Sequence, residues 1–165
     1  DFGRTTGESF ADLLRELDKV EGIERYRISS IEPNLLTDEI IDICASSPKF
    51  QHHFHIPIQC GSNKILALMR RRYTVEKFAE RIAAVKKAMP DAFIGIDVIT
   101  GFPGETDADF MDSRNFLESI SPAFLHIFPF SETIFASTVT GLSTSIEGTT
   151  VKLKGTIPST LCIVS

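Results

Sequence analysis

The chain has 165 residues, of which 42% are hydrophobic and 24% charged, a balance that suits one ordinary globular domain and excludes a chain disordered throughout. No run approaches the roughly 20 apolar residues of a bilayer span and no export signal opens the sequence, so a cytoplasmic protein without membrane contact is expected. A formal net charge of -5 is the wrong sign for a surface that grips phosphates along its whole length, so any RNA-binding power is local or lies outside this chain.

In chain order, Thr5 and Glu8 have the spacing of a capping box, and Phe10, Leu13, Leu14 and Leu17 form a helical stripe ending near Gly22. Arg25 to Ile31 reads as a strand, and Thr37 as the N-cap of a short helix carrying Ile40, Ile41 and Cys44. Phe54 to Ile58 reads as the next strand, and Ser62 caps a turn of helix with Ile65, Leu66 and Met69. Thr74 starts a longer helix in which Phe78, Ile82, Val85 and Met89 face one way until Pro90 stops it. Phe93 to Ile99 is the clearest strand. Thr106 then caps a helix bearing Phe110, Leu117 and Ile120, and Phe124 to Phe128 is a fourth strand. From Ser131 onward Ser and Thr abound and no period persists, so 133–165 is expected to be a divergent, disordered or loosely attached tail on a folded unit 1–132.

Helices between consecutive strands make parallel pairing the default, leaving a (β/α) barrel or a doubly wound sheet. Each strand is followed at once by polar or Gly-rich residues, which favours a partial (β/α) barrel whose strand ends converge on one mouth. Four segments at those ends could carry chemistry. Ile96 to Thr106 runs from a strand through a Gly-Pro-Gly turn into a capped helix; its glycines let a ligand approach the backbone, or serve only the turn's own geometry. It is not a P-loop, since the Lys-Ser/Thr pair is missing.

In His52 to Ser62, His53 and His55 share a strand face, but no third ligand stands at diagnostic spacing, so a structural or substrate-facing role is expected ahead of a metal site. Gln59, at the strand end, offers both donor and acceptor to a nucleoside or amino-acid group. Glu32, after Ser29 and Ser30, is either an acceptor for an ammonium or ribose hydroxyls, or a loop acid in water. Arg70, Arg71 and Arg72 form the only dense basic cluster, read as a solvated helix end or an anion contact. Cys44, Cys60 and Cys162 are too scattered for a disulfide framework and are expected to be buried thiols.

Taken together and in this order, Ser29-Ser-Ile-Glu-Pro33, His55-Ile-Pro-Ile-Gln-Cys-Gly-Ser62, Met69-Arg-Arg-Arg-Tyr73, Asp97 to Thr106 and His126-Ile-Phe-Pro-Phe-Ser131 resemble the radical-SAM tRNA methylthiotransferases over Asp1 to about Glu132. The Ser-Ser-Ile-Glu-Pro form resembles the branch that modifies threonylcarbamoyladenosine beside the anticodon. The resemblance implies an open, partial barrel with S-adenosylmethionine across the strand ends, bound to a 4Fe-4S cluster. It implies cleavage to a deoxyadenosyl radical and addition of a methylthio group at adenine C2 of a tRNA. It also implies that Glu32, Gln59 and Arg70 or Arg71 contact the ribose or methionine portion, and that backbone at Ile99 and Gly101 flanks the adenine.

Three departures bear on this. No CxxxCxxC occurs, and the chain begins at what resembles the loop after the second barrel strand, so the cluster ligands are expected to be missing and this chain alone to be inactive. Cys60 stands where the family commonly has serine. The segment after Glu132 reads as unrelated to the family. A barrel incomplete at the N-terminus exposes a strand edge, which predicts self-association. Two other readings remain open: a nucleoside-binding module without redox chemistry, and a (β/α) enzyme on a phosphorylated metabolite that uses the turn from Gly101 to Thr106 as a phosphate cradle.

Overall fold

The computed structural model describes residues 5–130. The elements run α1 (Phe10–Lys19), β1 (Tyr26–Ile28), α2 (Asp38–Ser46), β2 (Phe50–His55), α3 (Asn63–Leu68), α4 (Val75–Ala88), β3 (Phe93–Thr100), α5 (Asp107–Ile120) and β4 (Phe124–Pro129). Among the described residues the strands form one four-stranded sheet in the order β1-β2-β3-β4, every pair parallel. Strand order that follows chain order, with no reversal, has no switch point. Right-handed crossovers then keep every helix on one face, which is the geometry of a barrel segment rather than of a doubly wound sheet.

Strand alternation sorts the side chains. Phe54, Ile94, Ile96 and Val98 point to the helix-covered face and are at most 2% exposed. Phe78, Ile82 and Val85 of α4 and Ile40, Ile41 and Cys44 of α2 close the same core. Each such fully buried aliphatic contributes about 1.5–3 kcal/mol relative to exposure. One cation sits within this layer: Arg81 of α4, buried, donates to the carboxylate of Asp38 at 2.6 Å and ties α4 to the start of α2.

The first helix starts later than the sequence predicts. Ser9, not Thr5, is the N-cap, and its capping box closes with Asp12. Gly7 lies at φ +81°, a left-handed conformation that breaks any helix begun at Thr5. The second strand is also displaced, spanning Phe50–His55 in place of 54–58. Polar Gln51, His52 and His53 hid its beginning, since only one face of this strand is apolar. Pro57 has no N–H to offer and interrupts the ladder, which resumes where Gln59 pairs with Val98. The first strand is confined to Tyr26–Ile28 rather than 25–31, although Ile31 N–H still donates to the His55 carbonyl at 3.0 Å.

On α5, Phe110 is 45% exposed rather than part of the core. Asp109 and Ser113 are buried instead, and Phe116 makes the edge-on contact with Phe78. No helix among the described residues is long and apolar enough to cross a membrane. The expected tail 133–165 lies outside the described residues.

Candidate functional site

Because the strands are parallel, the segments that follow β1, β2 and β3 meet at one edge of the sheet, and Glu32, Gln59, Ile99 and Gly101 all lie there. Gln59 takes φ +74°, a left-handed conformation in a residue other than glycine. Its backbone is committed on both sides: its N–H donates to the Asp97 carbonyl at 2.9 Å, and its carbonyl accepts from the Ile99 N–H at 2.7 Å. Its half-buried side-chain amide makes no hydrogen bond to a described residue, and so is available to a ligand.

Arg71 donates to the Glu32 carboxylate at 3.3 Å, which joins the turn after β1 to the end of α3. Its Nε is buried without a partner. Arg70, by contrast, is exposed at φ +56° just past the C-cap of α3. Of the two arginines the sequence left open, the structure brings Arg71 to Glu32 and leaves Arg70 in solvent. Tyr73 holds the neighbouring backbone, its hydroxyl donating towards the carbonyls of Pro57 at 3.1 Å and Ile58 at 3.3 Å. Burial pushes its phenol up to about 12, so it stays a donor at neutral pH.

Gly101, at φ +74°, turns its N–H onto the Glu105 carboxylate. The start of α5 is closed by its own capping box, Thr106 with Asp109. With Glu105, Asp107 and Asp109 around it, this helix end carries negative charge, and the N–H groups of Thr106 and Asp109 are bonded within the box. It is a poor cradle for phosphate.

Below the strand ends, the open face of the sheet carries a polar group of which the sequence singled out only His55. His55 Nε2 lies 2.9 Å from Asp97 Oδ1, and His126 Nδ1 lies 3.7 Å from the same oxygen. Parallel register sets Asp97 beside His126, and Gly95, with no side chain, leaves room for the His55 ring. His53 stacks on Phe93 with centroids 4.7 Å apart, and burial lowers its basicity. Among the described residues no cluster of three or more His, Cys, Asp or Glu could hold a metal ion.

The polar groups at the strand ends fit S-adenosylmethionine: a carboxylate, an unpaired amide and a guanidinium with one buried N–H unpaired suit a zwitterionic nucleoside. The described cysteines do not fit an iron-sulfur cluster. Cys44 and Cys60 are buried in the core on the helix side, and burial raises both thiols, that of Cys44 to about 11. Cys162 lies outside the described residues.

Residues 3–117 match the family model of the Radical SAM superfamily, and the chain belongs to that superfamily. Within it, the chain is 51% identical over 125 residues to threonylcarbamoyladenosine tRNA methylthiotransferase MtaB of Bacillus subtilis, covering 75% of this chain and 28% of that protein. It is 45% identical over 123 residues to tRNA-2-methylthio-N(6)-dimethylallyladenosine synthase of Wolinella succinogenes, covering 74% of this chain and 28% of that protein. The chain thus spans little more than a quarter of the length of these relatives. Among solved structures it is similar to coproporphyrinogen III oxidase (HemN) of Escherichia coli, a radical SAM enzyme. The TM-score is 0.58 at 20% identity, covering 78% of this chain and 29% of that one, a likeness of fold. The motif resemblance and the partial barrel read from the sequence are both borne out.

Proposed function

We propose that this chain is the cofactor-binding stretch of a tRNA methylthiotransferase that adds a methylthio group at C2 of N6-threonylcarbamoyladenosine, working in the cytoplasm. The observation that carries the reading is the convergence of Glu32, Arg71, Gln59, Ile99 and Gly101 at one end of a parallel sheet. In this reading Glu32 and Arg71 take the charged ends of the methionine portion, the Gln59 amide takes a ribose or amino-acid group, and Ile99 with the Gly101 backbone lies along the adenine. When bound, S-adenosylmethionine supplies the radical and the methyl group. The residues named here only bind and orient it. The cluster that such a reaction requires would be held by other parts of a longer protein, as would most contacts to tRNA, in keeping with the net charge of -5. The choice of threonylcarbamoyladenosine is supported by the Ser-Ser-Ile-Glu-Pro segment and the 51% identity to a relative of that name.

The test is calorimetric titration of the chain with S-adenosylmethionine, with Gln59→Ala and Arg71→Ala alongside. Weak binding that falls by about tenfold in each variant is expected, the worth of one well-placed polar contact. Binding that ignores both substitutions, or binding of inorganic phosphate in place of S-adenosylmethionine, would sink the reading and favour a phosphorylated metabolite.

A further inference from the structure

We infer that Asp109 is a positioning residue for the strand-end site: its carboxylate clamps the turn after β2, which carries Gln59, to the turn after β3, which carries Gly101. The inference rests on the function proposed above.

Asp109 is only 7% exposed and gathers donors from three residues on two segments. Its Oδ2 accepts from Thr106 N at 3.0 Å, Thr106 Oγ1 at 2.6 Å and Lys64 Nζ at 2.6 Å, while Oδ1 accepts from Ser62 Oγ at 3.1 Å. Lys64 also donates to the Gly104 carbonyl at 3.2 Å, so one ammonium spans both turns. One turn along α5, buried Ser113 accepts from the Gly61 N–H at 2.8 Å. The two backbones touch there, for a Cβ built on Gly61 would lie 2.6 Å from Ser113 Cα.

Capping α5 requires only the bonds between Asp109 and Thr106. The Ser9 and Asp12 box of α1 has the same local hydrogen bonds, yet it stands in solvent and adds only Arg15 from its own helix. What distinguishes Asp109 is the recruitment of Ser62 and Lys64 from the β2 side, three and five residues after Gln59 turns the chain. Ser62, the N-cap of α3, accordingly makes no cap hydrogen bond of its own. Since the Gln59 backbone is in turn bonded to Asp97 and Ile99, a shift of the clamped turn moves the amide relative to the adenine-flanking strand.

The test repeats the S-adenosylmethionine titration on the full chain with Asp109→Ala, Gln59→Ala, the double variant and Asp12→Ala. Asp109→Ala is expected to weaken binding about tenfold, and the double variant to bind no worse than Gln59→Ala alone, because the clamp acts through Gln59. Asp12→Ala, which removes an equivalent box, lowers stability and leaves affinity unchanged. Equal affinity in Asp109→Ala, or a loss that adds in full to that of Gln59→Ala, overturns the inference. Should Asp109→Ala fail to fold, Lys64→Met removes only the exposed bridging ammonium and is expected to show a smaller loss of the same non-additive kind. Amide hydrogen exchange separates this inference from the function on which it rests. Asp109→Asn accelerating exchange at Gly61 and Gly101 together supports the clamp even if the unsubstituted chain binds no S-adenosylmethionine, an outcome that would sink only the proposed function. Acceleration confined to the first turn of α5 reduces Asp109 to a cap.

Discussion

The two faces of β2, β3 and β4 are built from alternate residues of the same strands, and they differ in almost every physical respect. On the helix side, Phe54, Ile96 and Val98 are sealed against α4 and α5. On the open side, the same strands present His55, Asp97 and His126 with the exposed rings of Phe93, Phe124 and Phe128. A period of two lets one strand serve both purposes without compromise: the outward residues hold the fold and the inward residues, with the strand ends, are left for chemistry.

The contrast predicts a gradient of mutational cost. Phe54→Ala, on the sealed side, is expected to cost about 3–5 kcal/mol in urea unfolding, a large fraction of the stability of a domain this size. A loss under about 1 kcal/mol there would mean that the outer core is looser than its burial implies.

A smaller effect is expected at the clamp between the turns. Hydrogen bonds from Lys64, Thr106 and Ser62 hold the Asp109 carboxyl well below the usual carboxylate range. A depressed folded-state pKa contributes stability that is fully present above the unfolded value of about 3.9 and is lost as pH falls towards the folded value. Stability should therefore decline below about pH 4, and Asp109→Asn should be less stable at neutral pH with a shallower acid limb. Parallel acid limbs in the two chains would break this assignment.

The smallest effect is expected on the open side. Phe128→Ser, at a residue 39% exposed on β4, should change stability by no more than about 0.5 kcal/mol. It should also leave self-association in sedimentation velocity unchanged, because the edge expected to pair is that of β1, at the other end of the sheet. Reduced association would place that contact at β4 instead.

Much of the layout was legible in advance because its causes are local. Helical stripes such as Phe78, Ile82 and Val85, the hydroxyl caps at Thr37, Thr74 and Thr106, and the apolar run of β3 announce themselves within a few residues. Errors came where the local signal was shared. Thr5 and Ser9 both have cap chemistry, and only the left-handed Gly7 decides between them. The polar start of β2 looks like a loop until its neighbours are known. At the site, Glu32, Gln59 and Gly101 stood out as polar or glycine residues at strand ends, whereas Asp109 resembled any third residue of a capping box.

The sequence by itself determined the alternation of strands and helices, the segments that end each strand and the superfamily motifs, since all of these rest on spacing along the chain. Only the tertiary structure decided that Arg71 rather than Arg70 meets Glu32, that Asp97 lies between His55 and His126, and that Asp109 joins two turns. Each of these pairs residues from separate elements, and the distance between them is set by strand register and helix packing, quantities that no local pattern encodes.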